Sequence, residues 1–336
     1  MTFYHFLPLD NLPRAQLAHL PTPIDPLPNL SAYLGGPEIF MKRDDQTGLA
    51  TGGNKVRKLE YLIAQALERD ADTVITAGST QSNHARQTAA AAARFGLRCH
   101  LVLYAPGGTP PADTTGNLLL SQLLGAQLHW TEERAPYAAT MASVEQDVIR
   151  AGGRPYVIPY GGSNAYGLLG YAGAIREFKA QSRGMEPFDT HVFASSSGGT
   201  QAGMLLGAHL AGLTETSRFL GISVDLPAGV IINQIITLAN SAARLLDLDW
   251  QLDPGTIEVN DSYLGGGYAV VGEPEREAVR LVAQREGILL DPVYTGRAFA
   301  GLIDLIRGGA FTRQQRIVFW HTGGTASLFA FADKLL

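Results

Sequence analysis

The stretch Thr51 to Leu62, TGGNKVRKLEYL, decides how the chain is read. Gly52 and Gly53 precede Asn54, which reads as a helix cap, and an amphipathic pattern follows with Val56, Leu59, Leu62 and Ile63 on one face. Lys55, Arg57 and Lys58 fall in the first turn. That is the wrong end for cations: unpaired N–H groups make a helix N-terminus partly positive, and a cation there loses about 0.3–1 kcal/mol relative to an anion. Positive potential and desolvation both lower a lysine pKa, which frees the amine for imine formation with an aldehyde. A solvated cation at a helix start is the plain alternative for Lys55.

Outward from this stretch, short apolar runs alternate with helical patterns. DTVITAG, LRCHLVLY, RPYVIPYGG, DTHVFASSS, RFLGISVD and RIVFWHTGG read as buried strands. SNHARQTAAAAARFG, NLLLSQLLGAQ, NAYGLLGYAGAIREFKAQ, TQAGMLLGAHLAG, EPEREAVRLVAQREG and VYTGRAFAGLIDLIRGG read as helices. The alternation predicts an α/β fold, with parallel sheets covered by helices on both faces. The proline-rich HLPTPIDPLPNL predicts extended chain leading to an edge strand around EIFMKRDD.

Several strand-like runs end in glycine or hydroxyl residues just before a helix: TAGSTQSNHARQ, PYGGSNAYG, FASSSGGTQAG and FWHTGGTAS. In an open α/β sheet, ligands bind at these strand ends, and helix N-termini there attract anions. SSSGGTQAG, Ser195 to Gly203, is the best phosphate candidate, because consecutive glycines let N–H groups converge and Ser197 and Thr200 add hydroxyls. It holds no lysine, which suits a metal-free monophosphate better than a triphosphate. GLATGGNKV fails as a triphosphate loop, since Asn54 separates Gly53 from Lys55 and Val56 replaces the hydroxyl residue. No G-x-G-x-x-G follows a strand, and the histidines are scattered, without H-E-x-x-H or C-x-x-C spacing. A monophosphate loop and a nucleophilic lysine together point to pyridoxal phosphate.

Composition narrows the class further. With 336 residues, 46% hydrophobic and 17% charged, the chain can bury a large core. A net charge of −5 supplies no basic footprint for nucleic acid or an anionic membrane. The lone Cys99 reads as a small buried hydrophobe in a strand. The opening MTFYHFLPLDNLP has no basic segment followed by a long apolar core, and no apolar run approaches the roughly 20 residues of a membrane span. A cytoplasmic location is therefore expected.

Six motifs, in this order, carry a resemblance: KRDDQTGLATGGNKVRKLEYL, TAGSTQSNHARQTAAAAARFGL, PYVIPYGGSNAYGLLGY, SSSGGTQAGM, LLDPVYTGRAFAGLIDLI and FWHTGGTASLFAF. From about Pro21 to the C-terminus the chain resembles the D-cysteine desulfhydrase and 1-aminocyclopropane-1-carboxylate (ACC) deaminase family, among the fold type II, tryptophan-synthase-β-like pyridoxal-phosphate enzymes. The resemblance implies two open, twisted, mostly parallel sheets, with residues 1–55 and 165–336 forming a large cofactor domain and 56–164 a smaller inserted α/β domain. It implies that Lys55 forms the link to the cofactor aldehyde and acts as base. Asn83 would hydrogen-bond the pyridine 3′-oxygen, and Ser82 with His84 would take the substrate carboxylate. Ser197, Gly198, Gly199 and Thr200 would form the phosphate cup, with Thr322 near the pyridine nitrogen. Tyr268 and Tyr294 match paired active-site tyrosines, with Thr295 beside them at the substrate. A homodimer is also implied.

The family's members differ at a few of these positions. ACC deaminases typically carry Glu where Thr295 stands, Leu where Thr322 stands and QSNQ in place of QSNH. These departures favour β-elimination from D-cysteine, giving pyruvate, hydrogen sulfide and ammonia. L-cysteate sulfo-lyase stays open as an alternative, since that branch shares QSNHARQ and HTGG, though its usual DPVYS has Ser at Thr295. From other classes, a cofactor-binding protein without turnover remains to be weighed, and a nucleotide-dependent kinase or ligase rests only on GLATGGNKV. Arg57 and Lys58 read as solvated cations or as partners of Asp44 and Asp45.

Overall fold

The computed structural model describes residues 7–135 and 137–336, so the first six residues of the opening segment lie outside the described residues. Two sheets organise them. The smaller sheet is wholly parallel, in the order β5-β4-β3-β6, where β3 is Thr73–Ser79, β4 Arg98–Tyr104, β5 Gln127–Thr131 and β6 Pro155–Val157. The larger runs β1-β2-β10-β7-β8-β9: β1 is Ile24–Pro26, β2 Glu38–Lys42, β7 Thr190–Ser195, β8 Arg218–Ser223, β9 Glu258–Asn260 and β10 Arg316–Trp320. Only β1 is antiparallel to its neighbour.

The inner strands of both sheets are buried on both faces, which is why they read as continuous apolar runs. Alternate residues of one strand enter different cores. In β4, Leu101 and Leu103 pack with Val56, Leu59 and Ala89, while Val102 packs with Val144 and Val148 on the opposite face. In β10, Val318 and Trp320 face one large core and Ile317 and Phe319 the other. Cys99 is buried as expected, and burial pushes its thiol up to about 12.

Three expectations change. EIFMK does form β2, but the edge is β1, formed by IDP of the proline-rich segment. An antiparallel edge is where a strand tolerates proline, because one side of its backbone needs no ladder partner. The helix Lys55–Glu68 is not half-exposed: Val56 to Ala66 are all buried, including Arg57, Lys58, Glu60 and Gln65. Asn54 does not cap it, since its side chain makes no cap hydrogen bond; its amide Nδ2 donates instead to Thr200 Oγ1 at 3.2 Å.

Candidate active site

The loops after β3, β6, β7 and β10 converge at the carboxyl ends of their parallel strands, where such sheets place ligands. The pocket there is lined by Lys55, Ser82, Asn83, His84, Tyr160 and Tyr294, with Ser197, Gly198, Thr200 and Thr322 at its remaining walls.

Gly52 and Gly53 shape the approach to Lys55. Both have positive φ, of 71° and 127°. A Cβ on Gly52 would lie 1.9 Å from the Asp45 carbonyl oxygen, so only glycine lets the two backbones pass. The Asn54 N–H donates to the Thr322 carbonyl at 2.9 Å, which ties the helix start to the loop after β10.

Lys55 and Lys58 then project to the same carbonyl: each Nζ donates to Gly161 O at 3.2 Å, and Lys58 also donates to Ser163 Oγ at 3.2 Å. Burial lowers the Lys55 pKa to about 8. Of the two causes the sequence offered, desolvation is the main one. Lys58 is lowered well below the ordinary value, first by burial and then by the Lys55 charge. Lys58 is neither solvated nor paired with Asp44 or Asp45, as expected from sequence; it is a fully buried amine facing neutral oxygens.

The cup begins with Gly198 in a left-handed conformation, φ 72°, and opens the helix Gly199–Ala211. A Cβ on Gly199 would meet Ser163 Oγ at 2.5 Å and Lys58 Nζ at 2.9 Å, and one on Gly161 would meet Ser197 Oγ at 2.6 Å. Ser197 and Ser163 share a hydroxyl contact of 2.8 Å. A helix N-terminus, two hydroxyls and the Lys58 amine therefore surround one small space, which is an anion site by donor supply.

Asn83 starts the helix Asn83–Arg94. Its Oδ1 accepts from Asn117 Nδ2 at 2.9 Å and Arg86 Nη2 at 3.3 Å, which fixes the amide so that Nδ2 is the end left to donate into the pocket. Ser82 caps the same helix, its Oγ accepting from the Ala85 N–H at 3.1 Å. His84 behaves differently from expectation. Thr76 Oγ1 donates to the Ile158 carbonyl at 2.8 Å, so His84 Nε2, 2.8 Å from that hydroxyl oxygen, must donate to it. Nδ1 is then a bare acceptor, buried without a partner, and burial holds the ring neutral. An acceptor lone pair repels a carboxylate, so the donors at this helix end are the Ser82 hydroxyl and first-turn N–H groups, not the imidazole.

Tyr294 and Tyr268 meet hydroxyl to hydroxyl at 2.6 Å, and Tyr268 lies 3.4 Å from Ser79 Oγ. Burial pushes both phenols above their ordinary value, Tyr294 far above it, so both stay protonated. Asp291 builds this corner, accepting from the N–H groups of Val293, Tyr294 and Thr295. Thr295 is fully buried and donates its hydroxyl to Asp291 Oδ1 at 2.7 Å. It braces Tyr294 from behind, and neither it nor Tyr268 is among the residues lining the pocket.

A family model for pyridoxal-phosphate dependent enzymes matches residues 15–323. A D-cysteine desulfhydrase of Klebsiella pneumoniae (strain 342) is 44% identical over 329 residues, covering 97% of this chain and 98% of that protein. The chain belongs to the pyridoxal-phosphate dependent enzymes. A solved structure described as an ACC deaminase homologue superposes on this enzyme with a TM-score of 0.90 at 39% identity, covering 100% of this chain and 99% of that one. A fungal L-serine ammonia-lyase from Rhizomucor miehei, 18% identical with a TM-score of 0.67 over 95% of this chain and 97% of that one, shares the fold.

The residues present fit pyridoxal phosphate. The glycine cradle and Lys58 suit its phosphate, Lys55 its aldehyde and the Asn83 amide its ring oxygen. Sequence reasoning missed Tyr160, although PYGG was among the quoted loops, and gave Lys58 no role. It also missed Arg86, wholly buried, which holds the loop at Ala50 and Thr51. Among the described residues no group of three His, Cys, Asp or Glu could hold a metal ion, and no helix is long and apolar enough to cross a membrane.

Proposed function

We propose that this pyridoxal-phosphate enzyme is a D-cysteine desulfhydrase, converting D-cysteine and water to pyruvate, hydrogen sulfide and ammonia. The observation that carries the proposal is the near full-length, 44% identical relative of that name. The pocket supports it with an acid–base set suited to β-elimination.

Bound pyridoxal phosphate withdraws electrons from the Cα of an attached amino acid. Lys55, with a pKa of about 8, has an amine able to take the Cα proton near neutral pH. Tyr294, kept protonated and hydrogen-bonded to Tyr268, is the donor for the sulfur as the Cβ–S bond breaks. The Ser82 hydroxyl and the helix N-terminus hold the substrate carboxylate. Asn83 orients the ring, while Ser197, Gly198, Gly199, Thr200 and Lys58 hold the phosphate, with Thr322 at the ring's far side. Thr295 acts on the reaction through Asp291 and Tyr294.

Residues 1–55 and 165–336 would form the cofactor domain and 56–164 the inserted one, a division supported by the membership of the two sheets. A homodimer and a cytoplasmic location complete the proposal. The test is product analysis with D-cysteine, L-cysteine, L-cysteate, D-serine and ACC. Pyruvate and sulfide should form fastest from D-cysteine; 2-oxobutyrate from ACC as the main product would overturn the proposal.

A further inference from the structure

Asp225 lies two residues beyond β8 and has no part in the chemistry above. Its Oδ2 accepts from the Ser196 hydroxyl at 2.7 Å, while its Oδ1 is buried without a partner. A buried carboxylate oxygen with no donor is uncommon, because such groups are nearly always satisfied. Its surroundings explain what it faces. Asp225 interacts electrostatically with Lys55, Tyr160, Tyr268 and Tyr294, all members of the proposed reaction site. It also lines a second cavity, of about 690 Å³, which shares Tyr160, Ser196 and Ser197 with the cofactor pocket. Leu226, Val230 and Leu238 form the apolar part of that cavity, and Asp225 is the one carboxylate in its lining.

Burial raises the Asp225 pKa, while the Ser196 hydroxyl, the Leu226 N–H, Lys55 and Arg297 favour its charged form, and each of the nearby cations has partners of its own. Arg297 is held by Glu275 at 2.7 Å and by the carbonyls of Val224, Gly267 and Val270. Lys58 points to Gly161 O and Ser163 at the cup. Lys55 is reserved for the cofactor aldehyde.

We propose that Asp225 is a specificity-determining residue that selects amino acids with an uncharged Cβ substituent and excludes those with an anionic one, such as a sulfonate or carboxylate. The inference rests on reading the pocket as an amino-acid lyase site. It separates the thiol substrate from its sulfonate alternative, since a second negative charge brought beside Asp225 meets like-charge repulsion. Ser196 contributes by fixing one oxygen of the carboxylate.

The test compares binding of D-asparagine and D-aspartate, nearly isosteric and different in side-chain charge, to the cofactor-loaded protein by calorimetry. The wild type should prefer D-asparagine by at least about tenfold. Asp225→Asn should shrink that ratio at least about fivefold, and Asp225→Glu, which restores the charge, should keep it. Equal affinities in the wild type, or binding of neither, overturn the proposal whether or not the variants fold; so does an unchanged ratio in Asp225→Asn. Absence of pyruvate from D-cysteine with the binding preference intact would instead count against the lyase reading alone.

Discussion

Three cations share the first turn of one buried helix and have opposite fates. Arg57 lies in a closed network: it pairs with Asp44 at 2.7 and 2.9 Å and with Glu177 at 3.0 Å, while Lys42 contacts Glu177 at 2.6 Å and Tyr171 donates to Asp44 at 2.6 Å. Two positive and two negative side chains balance there. Burial alone would lower the Arg57 pKa, but Asp44 and Glu177 reverse that and raise it. Glu177, also opposed by burial, is brought down to about 2 by Arg57 and Lys42. Lys55 and Lys58, one turn or less away, hydrogen-bond only neutral oxygens, with Asp225 acting on Lys55 too weakly to offset burial, and both are lowered. Arg57 has its counter-charge built into the protein. The two lysines await theirs from a ligand, and this resolves the oddity of cations at a positive helix pole.

Substitutions along the turn should separate these fates. Lys55→Ala should reduce turnover by at least ~10³-fold in steady-state pyruvate assays, since it removes the cofactor link and the base together. Arg57→Leu should cost about 3–5 kcal/mol in denaturant unfolding of the cofactor-free protein, because Asp44 and Glu177 would then share Lys42 alone. Lys58→Met should weaken pyridoxal phosphate binding by ~10–100-fold, the loss of a charge-assisted hydrogen bond, when titrated by absorbance. It should leave the cofactor-free protein as stable or more so, because a buried amine without a counter-ion is removed. If Arg57→Leu spared stability and Lys58→Met destroyed it, the contrast would be reversed.

A smaller effect concerns pH. With a pKa of about 8, against about 10.4 for a solvated lysine, Lys55 becomes neutral as pH rises through 8. In cofactor-free protein its labelling by an amine-directed reagent should therefore rise with a midpoint near 8, followed by peptide mass mapping. A midpoint above 10 would mean that burial does not desolvate this amine.

Most of this fold was legible because strands buried on both faces and Gly-flanked helix starts leave local traces. The doubly buried strands β3, β4, β7, β8 and β10 were all visible as apolar runs. β5, QLHWT, and β9, EVN, escaped, since both are edge strands whose residues are mostly only partly buried and so lack such a run. The site was legible where one motif carries both residue type and position, as with Lys55, Asn83 and the cup. Lys58, Tyr160 and Asp225 were not, because what defines them is contact between segments far apart in the chain: Lys58 with Ser163, Asp225 with Ser196, Tyr160 among Tyr137, Tyr268 and Tyr294. The His84 tautomer likewise depends on Thr76 and Ile158, which no spacing rule brings together.

The central claim is that Lys55, and not its buried neighbour Lys58, joins the cofactor. Borohydride reduction of the pyridoxal-phosphate-loaded protein, followed by peptide mass mapping, tests it most directly. A pyridoxyl group on Lys55 alone is the predicted result; the same group on Lys58, or on neither lysine, would contradict it.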